Sequence, residues 1–154
     1  MAGAAVMSAK GALRTGIGLA KCALPRSIYP IVAQTILESV YYPLSENADG
    51  RISKVNVPFL VSESCKSSAT LVGCGLGVCD DTLKIVFSLI ENSTTPLVLD
   101  ADALNCVAKQ PEILLRKKAP IIITPHPGEM SRLTGLATPL VNAEKERVAL
   151  DFAQ

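Results

Sequence analysis

The chain has one histidine, His126, and it lies in Thr124-Pro125-His126-Pro127-Gly128-Glu129-Met130 directly after the apolar run Ile121-Ile122-Ile123. Two prolines pin the backbone around the imidazole and the glycine after them allows a sharp turn. The segment is therefore expected to be a rigid loop on the end of a buried strand. Such a loop presents an imidazole for chemistry, or it is a plain turn whose histidine caps a neighbouring carbonyl. Two further segments share the design. Ala69-Thr70-Leu71-Val72 runs into Gly73-Cys74-Gly75-Leu76-Gly77 and then, past Asp80-Asp81, into a helical pattern with Leu83, Val86, Phe87 and Ile90 apolar. A buried strand, a glycine-rich turn and an amphipathic helix form the arrangement in which backbone N–H groups at a helix start can hold an anion. Pro96-Leu97-Val98-Leu99 runs into Asp100-Ala101-Asp102-Ala103-Leu104-Asn105. That delivers two carboxylates and an amide at the carboxyl end of a strand, where open α/β sheets bind ligands. Each signal alone has a packing explanation, a common strand-helix turn or an Asp that caps the next helix. Three in succession predict a pocket.

The elements that must position these loops alternate along the chain. Residues 3–15 read as a helix with a small-residue face (Ala5, Ala9, Ala12), residues 16–23 as a strand ending at Pro25, and Ser27 as the cap of a short helix with Pro30 in its first turn and Ile28, Val32 and Ile36 on one face. Residues 38–44 form a short extended piece. Residues 45–68 are an exposed turn and a surface helix, with Pro58 as its breaker. Residues 109–118 make a helical connection with a basic end, and Asn142 caps a last helix whose inward side is Val148, Ala149 and Phe152. Helix and strand in alternation argue for a parallel sheet covered on both faces.

Composition narrows the function classes. With 154 residues, 49% of them hydrophobic, the chain has the size and the core of one domain. A net charge of +1 leaves no basic stripe for nucleic acid, and 4% aromatics without Trp leave no stacking platform for single strands. The apolar residues near the amino terminus are interrupted by Lys10 and Arg14 and follow no basic region, so a secretory signal is not expected, and no segment has the length to span a bilayer. The five cysteines are odd in number and lack CxxC spacing, as expected of reduced thiols in the cytoplasm rather than disulfides or a zinc site. Cys74 as a nucleophile has no evident partner.

The glycine turn at residues 73–77, the acidic segment at 100–105 and the histidine loop at 124–130, in that order and at those separations, closely resemble the NAD(P)H-hydrate dehydratase family, the YjeF carboxyl-terminal domain of ribokinase-like fold. Gly3-Ala4-Ala5 with Ala12-Leu13-Arg14-Thr15-Gly16 is similar to that family's first helix, so the resemblance covers nearly the whole chain. Cys74 stands where the family usually has proline. The resemblance implies an α/β three-layer sandwich with a mainly parallel sheet, and a lyase that repairs nicotinamide cofactors. NADH hydrate or NADPH hydrate would be dehydrated at the expense of ADP, or of ATP, with Mg²⁺. The hydroxyl is phosphorylated and leaves as phosphate, which suits a poor leaving group. The histidine-proline-glycine form of the last motif is similar to the branch that uses ADP.

Carried onto this chain, the resemblance puts Ala4, Ala5, Gly75, Gly77 and His126 at the hydrated dinucleotide. Small residues allow close backbone approach, and His126 can donate to a phosphate or ribose oxygen. Asp100 and Asp102 would order water or Mg²⁺, or fix the loops by hydrogen bonds. His126→Ala is expected to weaken binding and to leave folding nearly unchanged, the loop being set by its prolines and glycine. The family's first strand would precede Met1, and its glycine-threonine-glycine-aspartate turn, which carries the catalytic Asp, would follow Gln154. Residues 1–154 are thus expected to be a single partial domain holding a substrate half-site, inactive by itself, with a cut sheet that favours a homo-oligomer such as a tetramer. Two other readings stay open: a ribokinase-like small-molecule kinase acting on a vitamin precursor, and a non-catalytic dinucleotide-binding or assembly protein.

Overall fold

The computed structural model describes residues 1–154. The three apolar runs become β3 (Thr70–Val72), β4 (Leu97–Leu99) and β5 (Ile121–Ile123), paired in parallel in the order β3-β4-β5. The register sets Val72 beside Leu99 and Leu99 beside Ile123. The carboxyl ends of all three strands are therefore neighbours on one edge, as the sequence predicts. A second pair, β1 (Lys21–Pro25) and β2 (Val40–Leu44), is also parallel, with Lys21 opposite Val40.

Alternation of side chains along the strands decides what covers the main sheet. Val72, Leu97 and Leu99 point one way and are buried under α4 (Asp80–Asn92) and α5 (Asp102–Val107), whose Ile85, Val86, Leu89, Leu104 and Val107 share their core. Leu97 and Leu99 keep at most 1% of their surface, and burial of such a side chain is worth about 1.5–3 kcal/mol. A smaller core forms where Ala9 of α1 (Ala2–Arg14) and Val32 of α2 (Tyr29–Ala33) meet Leu24 of β1 and Ile36. The opposite face of the main sheet is the exception to the expected double cover. Leu71 and Ile122 lie on it 47% and 59% exposed, with half-buried Val98 between them in register.

Several local expectations change. The first strand begins at Lys21 rather than Gly16, since Gly16 has φ +88° and leaves extended geometry. Ser27 does not cap α2; its hydroxyl bonds the Glu46 carboxylate, and Ile28 takes the cap position. Pro58 stands in the first turn of α3 (Val57–Cys65), where its missing N–H costs nothing, so it starts the helix instead of breaking it. Asn142 lies inside α7 (Thr138–Ala143), and of the residues assigned inward on α8 (Lys145–Ala153), Val148 is buried while Ala149 faces solvent. Residues 109–118 contain a 3₁₀ segment at Pro111–Arg116.

Candidate functional site

The glycine turn after β3 is built for close approach. Gly73, Gly75 and Gly77 all have positive φ, and each has a specific neighbour where a Cβ would stand. At Gly73 that position is 1.8 Å from the Asp100 carbonyl oxygen at the end of β4; at Gly75 it is 2.8 Å from the Ala4 Cβ of α1. Ala4 and Gly75 therefore touch, and the Met1 ammonium donates to the Gly75 carbonyl at 2.8 Å. At Gly77 the neighbour is the Arg51 guanidinium, 3.0 Å away, which donates to the Val78 carbonyl at 2.7 Å.

Two of the turn's N–H groups are taken up inside the protein. Leu76 N–H bonds the Gly73 carbonyl at 3.1 Å and Gly77 N–H bonds Asp102 Oδ2 at 2.7 Å. The start of α4 is closed as well: Cys79 N–H bonds the Thr82 hydroxyl, and Asp80 and Asp81 occupy the first turn. These acids already complement the helix dipole.

Asp100 and Asp102 tie the loops together. Asp100 accepts from the Cys74 thiol at 3.2 Å through Oδ2 and from the Thr124 hydroxyl at 2.8 Å through Oδ1. One carboxylate thus joins the turn after β3, the end of β4 and the loop after β5. Asp102 bonds the turn from the other side. Between them Ala101 has φ +47°, the one non-glycine residue of the chain with positive φ, in a turn closed by Ala103 N–H to the Asp100 carbonyl. Burial pushes the Cys74 thiol up, and Asp100 adds to the effect despite a bond from Ser8. Cys74 serves here as a donor to Asp100.

The His126 side chain is 61% exposed, and the residue is also the N-cap of α6 (Pro127–Thr134). Its Nδ1 accepts Gly128 N–H at 3.0 Å, its own N–H donates to Glu129 Oε2 at 2.9 Å, and Nε2 lies 3.3 Å from Glu129 Oε1. With Nδ1 accepting, the neutral ring carries its proton on Nε2. Gly128 is explained by this cap, since a Cβ there would stand 2.9 Å from His126 Cε1. The loop's geometry is therefore set by the imidazole and buried Glu129 as well as by the prolines, a correction to the expectation that folding ignores His126. The His-x-x-Glu spacing is the capping-box pattern and is legible in the sequence. Arg132, one turn on from Gly128, donates to Asn105 Oδ1 at 2.7 Å and ties α6 to α5.

The structure thus brings Ala4, Gly75, Gly77, Asp100 and Asp102 into one bonded group, with Thr124 leading from it toward His126. Ala5 packs with the smaller core under α1 instead. Two hollows, of about 490 and 410 Å³, lie elsewhere, at residues 142–147 and between α3 and α4, and no strand-end residue lines either. The acids do not suit a protein-enclosed Mg²⁺: both Asp100 oxygens are bonded, and no group of three His, Cys, Asp or Glu side chains converges anywhere. No helix is long and apolar enough to cross a membrane.

Known proteins resemble this chain in sequence and fold. A bifunctional NAD(P)H-hydrate repair enzyme of Thermofilum pendens is 36% identical over 98% of this chain, which corresponds to 29% of that enzyme. The crystal structure of an ADP/ATP-dependent NAD(P)H-hydrate dehydratase from Bacillus subtilis, grown with ATP and Mg²⁺ and soaked with CoA, superposes with a TM-score of 0.74 at 25% identity, over 99% of this chain and 51% of that one. A ribokinase-like protein from Enterococcus faecalis, 18% identical with a TM-score of 0.77 over 97% of this chain and 50% of that one, shares the fold. The chain spans about half the length of these solved structures and under a third of the curated relative. The family profile described as NAD(P)H-hydrate dehydratase matches residues 1–154, and the chain belongs to that family.

Proposed function

We propose that the protein works in the repair of hydrated nicotinamide dinucleotides, and that the strand-end shelf of this chain holds NADH hydrate or NADPH hydrate. In the complete reaction the C–OH oxygen attacks the terminal phosphorus of ADP or ATP, and the nucleotide leaves one phosphate shorter. The ring then expels inorganic phosphate as its double bond re-forms, which regenerates the reduced dinucleotide. The observation that carries this reading is the joining of the three motifs: Ala4 against Gly75, Gly77 bonded to Asp102, and Thr124 bonded to Asp100. The Ala4 methyl fills the space that a side chain on Gly75 would take, which seats α1 against the turn, and His126 offers an exposed ring after β5, the next strand but one. Asp100 and Asp102 act as positioning residues that lock the loops. Exposed Leu71 and Ile122, either side of half-buried Val98, support a homo-oligomer in which a second copy covers them. Five free cysteines fit a reducing compartment, the cytoplasm.

Calorimetric titration with NADPH hydrate tests the reading. Saturable binding to one site per chain is expected, and absence of heat at millimolar ligand would refute it.

A further inference from the structure

We infer that Arg132, rather than His126, supplies the cation that holds a phosphate group of the dinucleotide. The inference rests on the reading above that a dinucleotide lies across the strand ends. Both ring nitrogens of His126 are engaged in the cap, Nδ1 with Gly128 N–H and Nε2 facing the buried Glu129 carboxylate. The imidazole is thereby left with a weakened hold on any anion. Arg132 is different. It is exposed, and no carboxylate lies within ion-pair distance of it, while Asn105 bonds Nη1 at 2.7 Å and so orients the fork. Its Nη2 stands 4.0 Å from the point where a Cβ on Gly128 would be, the same point that is 2.9 Å from His126 Cε1. Gly128 thus lets the imidazole lie close over the turn and leaves the Arg132 guanidinium within reach of the same point.

The other cations at the strand ends bond backbone carbonyls, the Met1 ammonium that of Gly75. The Arg51 guanidinium is bonded to the Val78 carbonyl, and the end of β4 carries two carboxylates. A pyrophosphate or a 2′-phosphate brought there is gripped bidentately by the planar guanidinium, whereas an ammonium would bind it as a point charge. Asn105 is a positioning residue: it holds the fork that would otherwise swing through solvent.

The experiment is calorimetric titration of the full chain with NADH, with NADPH and with inorganic pyrophosphate, at two salt concentrations, for the wild type, Arg132→Gln, Arg132→Lys and Asn105→Ala, with a thermal melt of each. Arg132→Gln is expected to weaken binding of both dinucleotides about ten- to a hundredfold and to flatten the salt dependence, with Arg132→Lys and Asn105→Ala intermediate. An equal loss for NADH, NADPH and pyrophosphate assigns the bridge phosphates. A loss confined to NADPH assigns the 2′-phosphate. Wild-type binding that Arg132→Gln leaves within twofold overturns the inference and spares the function proposed above. No binding of either dinucleotide by the wild type overturns both. Should Arg132→Gln melt early through loss of the tie to α5, Arg132→Lys decides at matched stability, because it keeps the charge and loses the fork.

Discussion

At the scale of single residues, the site is held by side chains that each do two things. His126 closes the first turn of α6 while it presents an edge to solvent, so its removal has two consequences that separate. His126→Ala should lower stability by about 0.5–2 kcal/mol, the worth of an N-cap, and weaken NADPH-hydrate affinity as well. His126→Asn keeps a side-chain acceptor at the cap, so its melting temperature should return toward wild type while affinity stays low. Thermal melts and titrations of the three proteins check this; full recovery of affinity in the Asn variant would leave the imidazole with capping alone. Ala101 is the second such residue. At φ +47° it holds Asp100 and Asp102 apart on their two tasks at a cost of roughly 1–3 kcal/mol in backbone strain. Ala101→Gly relieves that strain and returns about 0.4–1 kcal/mol as unfolded-state entropy, so a net rise in melting temperature is expected in differential scanning calorimetry. A fall would mean that the turn carries no strain.

At the scale of elements, the outer helices are tied to the sheet by their own contacts. Glu63 on α3 accepts from Lys21 of β1 at 3.0 Å, from Lys66 at 2.9 Å and from Tyr42 of β2 at 3.2 Å. The Lys66 and Lys21 bonds hold its carboxyl down from 4.5 to about 2. A lowered folded-state value means that the contribution is complete above pH 4.5 and is lost as pH falls toward 2. Urea midpoints of wild type and Glu63→Gln should therefore differ at pH 6 and converge between pH 4.5 and 2; a constant difference would contradict the ion pairs. The elements around the site were legible in the sequence because the apolar runs before Gly73, Asp100 and Thr124 could only be strands, and the glycines marked the close approach. The cap at His126 was half legible, through Glu129 three residues later. Ala101 was not, since nothing in a local sequence reports a strained alanine. Pro58 misled because proline stops and starts helices with the same residue. The bonded carboxylate that joins three loops, Asp100, could be placed at a strand end but not given its partners, which come from distant segments.

At the scale of the whole molecule, three parallel strands buried on one face present Leu71, Val98 and Ile122 on the other, and the curated and solved relatives are longer than this chain. A row of aliphatic side chains on a sheet face is a surface that associates. Sedimentation equilibrium of the chain should show self-association, and Ile122→Asp should shift it to monomer with little change in melting temperature; a monomeric wild type would remove the oligomer from the account. We propose that the ends of β3, β4 and β5 together hold the hydrated dinucleotide. Amide hydrogen exchange with and without NADPH hydrate tests it most directly. Slowed exchange is expected in residues 73–77, 100–105 and 124–132 together, with no change at 142–147; protection confined to that distant hollow, or to none of the three loops, would overturn the dinucleotide site.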